Sequence, residues 1–379
     1  NQVITTTPFS FFSQISLYLG RRDFVDRIDT VDTVGESSLL YDPWLLLVLV
    51  QLACAFRYGR DDLDVIDLSF KRHIWSQTIQ VYPATGEADL ATTPTQEILV
   101  KKAGDQGHPF TFTLPKDLPC SVSIQPAARH AGKPCGVDFE VKAYIGNEQD
   151  GLKEKEDNID SCSFIIRKIQ YAPSRTSAGP RASIKKRFLM CTKAVFLEAS
   201  LDKEVYCHGE PISITVKINN NTGKVVKKIR ITIDQTTDVL LYSADKYTTS
   251  ILYEEFADQV HGNTTFEKVY QVTPLLGNNK DKLGLALDGK LKDEDTDLAS
   301  TTMKCSLLCL SAPLTAKRPG MDKEILGILV SYKIKTILMV SRGGFYLPCP
   351  IRDVSVELPL VPMSPKPAGE NLSCENQGT

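Results

Sequence analysis

The sequence predicts an all-β protein built from two antiparallel β-sandwich domains of immunoglobulin-like type, with one short helix in the N-terminal domain. Three observations carry that expectation. The chain has 379 residues, 42% hydrophobic and 24% charged, which is ordinary globular composition and enough chain for two domains of ~100–200 residues each. Short segments alternate apolar and polar residues, as a half-buried strand must. Turn-forming clusters recur between them, among them Pro115-Lys116-Asp117, residues 219–223 and Gly343-Gly344, and many strands at short spacing point to sandwiches.

The elements follow in order. Phe110–Leu114 (FTFTL), Val137–Tyr144, Ile212–Ile218 and Val354–Leu358 alternate cleanly and read as strands. Ile325–Val330 and Ile334–Val340 are more continuously apolar and read as buried strands. The one helix is announced by Thr93-Pro94-Thr95-Gln96, a capping box with proline at the first helical position. It runs over Gln96–Ala103, with Gly104 where a C-terminal glycine belongs. Residues 172–186 (APSRTSAGPRASIKK) have no periodicity and read as a linker. The expected layout is an N-terminal domain over 1–171, a linker over 172–187, a C-terminal domain over 188–362, and a short disordered tail over 363–379.

Composition narrows the function. Lys+Arg is 44 and Asp+Glu is 46, a formal net charge of −2. Nucleic-acid and polybasic membrane binders need a basic excess, so neither partner is expected. No apolar run approaches the ~20 residues of a membrane span, and no basic leader or cleavage site reads as a signal peptide. The 10 cysteines form no CxxC, and the 5 histidines stand alone. That pattern reads as free thiols of a cytoplasmic protein with no metal and no cofactor. Phosphate-loop, dinucleotide, nucleophile-elbow and zinc-protease motifs are absent, so no enzymatic site is expected.

Several longer segments resemble one family, the arrestins. YLGRRDFVD (18–26) resembles their N-terminal strand signature, and CAFRYGRDDLD (54–64) their finger-loop segment. LPCSV (118–122), GKPCGVDFEVK (132–142), HGEPIS (208–213), GLALDGKLK (284–292) and ILGILVSYK (325–333) also match, in order, from about Ile15 to Pro367. Within the family, DQTTDVLLYS (234–243) followed by Asp245-Lys246-Tyr247 resembles the cone visual branch.

The resemblance implies two curved sandwiches and a receptor-binding function. Such a protein binds a light-activated, phosphorylated cone opsin, a G-protein-coupled receptor, and sterically blocks G-protein coupling in photoreceptor inner and outer segments. It implies a polar core in which Arg167 senses phosphate against Asp23, Asp288 and Asp295. It implies phosphate contacts at Arg22, Lys101, Lys102, Lys290 and Lys292. It also implies a receptor-entering finger loop: Tyr58, Gly59, Arg60, Asp61, Asp62, Leu63, Asp64, Val65, Ile66 and Asp67. The plain alternative for each is a solvated charge or an exposed hairpin turn. Lys224, Lys227, Lys228 and Arg230 offer a weak inositol-phosphate site, against which a solvated strand edge is the plainer reading. Weak homo-oligomerisation stays open.

The departures from the family pattern concentrate on activation. The first strand, Thr5–Phe12, has no lysine, and Ser163 stands where a basic residue is usual. Asp293 replaces a histidine and Asp67 a glycine, which costs the loop flexibility. Trp44–Val50 lacks the usual basic residues, and residues 304–315 are an apolar, serine-rich insert. The acidic C-tail is not seen before Thr379, which reads as a partly pre-activated protein, and no clathrin motif is found. Two other classes remain beside the receptor reading. One is an arrestin-like trafficking or scaffold adaptor, which needs coat or ligase motifs. The other is a non-functional splice or gene-model product.

Overall fold

The computed structural model describes residues 15–26, 32–34, 37–40, 47–58, 70–83, 94–103, 107–115, 118–125, 135–145, 161–172, 177–188, 192–240, 244–289, 296–302, 327–341 and 353–365. The chain divides into two compact units. The first takes Asn1–Gln170, Asp288–Thr296 and Glu324–Ile328; the second takes the rest. Apart from one helix and a 3-10 turn at Leu276–Asn279, the described elements are strands.

The first unit holds β1 (Ser16–Leu19), β2 (Asp23–Asp26), β3 (Ser37–Leu40), β4 (Val48–Tyr58), β5 (Phe70–Tyr82), α1 (Pro94–Ala103), β6 (Gly107–Pro109), β7 (Val122–Ile124), β8 (Gly136–Ile145) and β9 (Ser161–Gln170). One sheet runs β1-β3-β6, and α1 packs on β3 and β6. In the other, β8 pairs β4 on one side and both β7 and β9 on its other side, while β5 lies beyond β4 and β2 pairs β9. Alternation places Val137, Phe139, Val141 and Ala143 of β8 in the core, none of them measurably exposed. Gln96 is a polar residue on the inward side of α1. It is buried, and its amide donates to the Phe110 carbonyl at 3.4 Å, which ties α1 to the chain after β6.

The second unit holds β10 (Arg181–Arg187), β11 (Ala194–Leu201), β12 (Val205–Cys207), β13 (Ile212–Asn220), β14 (Val226–Leu240), β15 (Ala244–Phe256), β16 (Thr264–Val272), β17 (Ala286–Asp288), β18 (Gly327–Val340) and β19 (Val354–Met363). Where β17 ends, Asp288 passes into the first unit, as does the start of β18. Four strands run β10-β11-β13-β16 and five run β12-β19-β18-β14-β15. Ile212, Ile214, Val216 and Ile218 point inward from one sheet, and Ile328, Val330, Tyr332 and Ile334 from the other. The all-β, two-sandwich class expected from the sequence is what the chain adopts.

Three expectations are corrected. Phe110–Leu114 is not a strand: its alternate residues Phe110, Phe112 and Leu114 are buried, but its only ladder contact among the described residues is a bridge from Val34 to Phe112. The pattern reported burial, and burial does not supply a partner. The two strands expected over 325–340 are one, because Tyr332 turns inward between them and the alternation never breaks. The linker is a strand in its second half: Arg181–Arg187 pairs β11 in antiparallel register although almost every side chain is exposed or half-exposed. Sheet pairing overrides a composition that reads as coil.

Candidate functional site

The site grows from the short parallel ladder between β2 and β9. β9 reads SCSFIIRKIQ, and Cys162, Phe164 and Ile166 face the core. Period-2 alternation then puts Lys168 on that inner face and Arg167 on the outer one. β2 pairs in register Asp23↔Arg167, Phe24↔Lys168, Val25↔Ile169 and Asp26↔Gln170, and the Arg167 amide donates to the Arg22 carbonyl at 2.7 Å. Each face of the ladder therefore carries one charge pair.

On the outer face, Arg167 grips Asp23 with two parallel bonds, Nε to Oδ1 at 2.7 Å and Nη2 to Oδ2 at 2.9 Å. Its Nη1 donates to the Gly289 carbonyl at 3.1 Å. Arg22, next to Asp23, sends Nε and Nη2 to the Ile165 carbonyl at 2.9 and 2.7 Å. Burial lowers the Arg22 pKa; Asp23 opposes that and the neighbouring Arg167 adds to it. Both guanidiniums stay charged, since the arginine reference lies far above neutrality.

On the inner face, Lys168 Nζ meets Asp26 Oδ2 at 2.8 Å and donates to the Leu118 carbonyl at 2.6 Å. The Lys168 and Asp26 side chains are 1% and 8% exposed, against 15% and 41% for Arg167 and Asp23. That contrast sets how costly each pair is to break. A buried pair that loses one partner leaves an uncompensated charge and costs about 3–5 kcal/mol. A partly exposed carboxylate recovers water when released, so its pair is worth far less and is sensitive to salt and competing anions. The outer pair is the more open to solvent and the inner pair is buried.

The structure brings together Arg22, Asp23 and Arg167 of the expected site residues. Asp288 sits one residue before Gly289, and its carbonyl accepts from Thr296 Oγ1 at 3.1 Å. Lys101 is exposed on α1, which packs on the opposite sheet. The Lys102 side chain, Lys290, Lys292 and Asp295 lie outside the described residues. So do Gly59–Asp67 of the finger loop; Tyr58 closes β4 opposite Phe70 of β5. The Thr5–Phe12 segment, Asp293 and the 304–315 insert also lie outside them.

The base of that hairpin carries an ion network. Arg57 on β4 reaches Asp138 at 3.3 Å and Glu140 at 3.6 Å, and Lys71 on β5 reaches Glu140 at 2.7 Å. Burial raises the Asp138 pKa despite Arg57. For Glu140 burial pushes upward too, but the Lys71 hydrogen bond and charge, with Ser163 and Arg57, hold it below the usual range. The two strands that lead into the loop are both clamped to β8.

Sequence reasoning missed Asp26, Lys168, Ser121 and Gly289. A lysine on the inward face of Phe164-Ile166-Lys168 was the available signal, because a charge at a core position needs a buried partner. Of Lys224, Lys227, Lys228 and Arg230, the four residues expected to offer an inositol-phosphate site, three have partners in the structure. Lys228 and Arg230 both pair with Glu255, at 3.0 and 2.8 Å. Lys224 Nζ lies 4.8 Å from the Phe188 ring centroid. The Tyr253 hydroxyl, with Lys228 and Arg230, holds the Glu255 carboxyl down at about 2. A carboxyl-resolved NMR titration should therefore show Glu255 ionised through pH 4, with its midpoint near 2; a midpoint in the ordinary glutamate range would contradict the clustered geometry. The sign follows: the cluster's contribution is present above the unfolded glutamate pKa and is lost as pH falls through the folded one.

Among the described residues no group of histidine, cysteine or acidic side chains could hold a metal, and no helix is long and apolar enough to cross a membrane. The described cysteines are free thiols. Burial pushes Cys54 up to about 12 and Cys135 up to about 11, which makes both poor nucleophiles.

Comparison with known proteins gives the family. The profile described as Arrestin (or S-antigen), N-terminal domain, matches residues 15–172, and the corresponding C-terminal domain profile matches residues 191–367. Arrestin-C of Aquarana catesbeiana is 50% identical over 366 residues, covering 96% of this chain and 90% of the relative. Arrestin-C of Homo sapiens is 47% identical over 367 residues with the same coverage. Arrestin-C of Xenopus laevis is 48% identical over 366 residues. The chain belongs to the arrestin family, whose members are signalling adaptors rather than enzymes.

Proposed function

We propose that this chain binds the light-activated, phosphorylated form of a cone opsin in photoreceptor cells and sterically blocks G-protein coupling. The observation that carries the reading is the two-bond Arg167–Asp23 pair, held on a two-strand ladder with its carboxylate partly open to solvent. A receptor phosphate carries about −1.5 to −2 charge and three strong acceptors. It competes with a singly charged carboxylate for the same guanidinium fork. Winning Arg167 releases Asp23 and the Gly289 carbonyl together, so one ligand event loosens both β2 and the segment that begins at Asp288. In this reading Arg22, Lys101, Lys102, Lys290 and Lys292 meet further phosphates, Asp288 and Asp295 complete the acidic side of the sensor, and residues 58–67 enter the receptor's cytoplasmic cavity.

The test is binding of this chain to purified cone opsin in four states, dark or illuminated and phosphorylated or not. Binding that requires both light and phosphate supports the reading. Equal binding to illuminated opsin with and without phosphate removes Arg167 from the sensing role, and no binding in any state overturns the receptor assignment.

Weak inositol-phosphate binding at Lys224, Lys227, Lys228 and Arg230 is a secondary part of the proposal, and Glu255 is its built-in competitor. Glu255→Gln should strengthen inositol hexakisphosphate binding by about threefold to tenfold by removing one charge from the cluster. Unchanged affinity in a calorimetric titration would exclude Lys228 and Arg230 as the site.

A further inference from the structure

We propose that Ser121 is a positioning residue for Arg167, holding the Gly289 carbonyl where the guanidinium finds it and thereby setting how much phosphate the switch demands. The inference rests on the phosphate-sensing reading above and adds a residue that no part of that reading uses.

Ser121 is 3% exposed and bonds in two directions. Toward β9, its amide donates to the Lys168 carbonyl at 2.9 Å and its hydroxyl oxygen accepts from the Lys168 amide at 3.0 Å. Toward the segment after β17, its carbonyl accepts from the Gly289 amide at 3.0 Å. The Gly289 carbonyl in turn accepts from Arg167 Nη1 at 3.1 Å. A closed ring results: Arg167 to Gly289, Gly289 to Ser121, Ser121 to Lys168, and Lys168 to Arg167 through one peptide bond. Lys168 is the fixed point of that ring, because its side chain is pinned to Asp26 and to the Leu118 carbonyl.

The ring closes only because Gly289 has no side chain. A Cβ at that position would lie 2.4 Å from the Ser121 Cβ, below any real contact, while the next nearest atoms of Ser121 are at 3.3 Å. The contact is thus a steric keyhole between two named carbons. A residue 289 pushed off Ser121 loses its amide bond to the Ser121 carbonyl, and Arg167 keeps Asp23 but loses its aligned third acceptor. Each charged–neutral bond of this kind contributes to the threshold a competing phosphate must overcome.

The keyhole makes a reciprocal experiment. Gly289→Ala should force residue 289 away from Ser121, and Gly289→Ala with Ser121→Gly should relieve the clash. Two readouts separate positioning from general stability. The first needs no receptor: solvent exchange of the Arg167 Nη1–H that donates to the Gly289 carbonyl, followed by NMR, should accelerate about tenfold in Gly289→Ala and return to within about threefold of the parent in the double variant. The second is the ratio of binding to phosphorylated over unphosphorylated illuminated cone opsin. It should fall at least about fivefold in the single variant, through a gain on unphosphorylated opsin, and recover in the double. Amides of β4, in the same unit as Ser121 and Gly289, serve as the folding control.

Unchanged Arg167 exchange in Gly289→Ala overturns the proposal. So does a double variant that fails to recover the exchange rate while β4 stays protected. Equal loss of binding to both opsin forms would mean a merely structural contact and also overturns it. If the parent chain shows no phosphate dependence, the receptor reading fails, and the exchange arm still decides whether Ser121 positions Arg167.

Discussion

Lys168→Met is expected to destabilise the first unit by about 3–5 kcal/mol. The substitution keeps most of the side-chain volume and removes only the ammonium. Asp26, whose side chain is 8% exposed, would then be buried without its cation, and the Leu118 carbonyl would lose its donor. For a unit of this size that corresponds to a fall of roughly 6–20 °C in its melting transition. The reciprocal expectation is that Asp26→Leu with Lys168→Met recovers most of the loss, since a well-packed apolar pair often matches or exceeds a buried ion pair. Calorimetry or urea unfolding of the parent, the single and the double variant checks both. A single-variant cost below about 1 kcal/mol, the range of an exposed pair, would mean that Asp26 reaches water and the inner pair is not buried.

The difference in burial between the inner and outer pairs suggests why one ladder carries both. The inner pair fixes the register of β2 on β9, and that register places Asp23 opposite Arg167. Because it is shielded from solvent, salt and phosphate leave it in place. The outer pair is then free to break without unzipping the strand. The proposed switch needs one element that yields and one that does not, and the 1% and 41% exposures of Lys168 and Asp23 fit those two parts.

Much of this was readable in the sequence, and the limits are physical. Ile212–Asn220 and Gly136–Ile145 declare themselves by alternation, because each buries one face of a sheet. Residues 110–114 show the same alternation without a ladder, since burial and pairing are separate facts. Arg181–Arg187 shows the converse: a strand whose side chains carry no pattern because it is an edge, exposed on nearly every residue. Family motifs led to Arg167 and Asp23. They did not single out Ser121, which works through its backbone and one close carbon contact, or Gly289, which within LDGK reads as a turn glycine. Lys168 was the legible omission, a charge on an inward position two residues from the strand's end.

Arg167→Glu is expected to bring the binding of phosphorylated and unphosphorylated illuminated cone opsin close to parity. The substitution removes both bonds to Asp23 and the bond to the Gly289 carbonyl in one step. It also sets two carboxylates at paired positions of the ladder, where like charges repel. What phosphate would achieve by competition, the variant achieves permanently. Bonds to a charged group are worth about 1.5–3 kcal/mol each, so losing one that holds the inactive state should raise binding to unphosphorylated opsin roughly 10–100-fold. Asp23→Arg with Arg167→Glu restores opposite charges across the same register and should return most of the discrimination, although phosphate would then meet an arginine on β2. Pull-down or surface binding to the four opsin states measures all three chains. Parity in the single variant and recovered discrimination in the swap would locate the threshold in this one pair. A single variant that still discriminates as the parent does would place phosphate sensing elsewhere and leave Arg167–Asp23 as a structural clasp for β2.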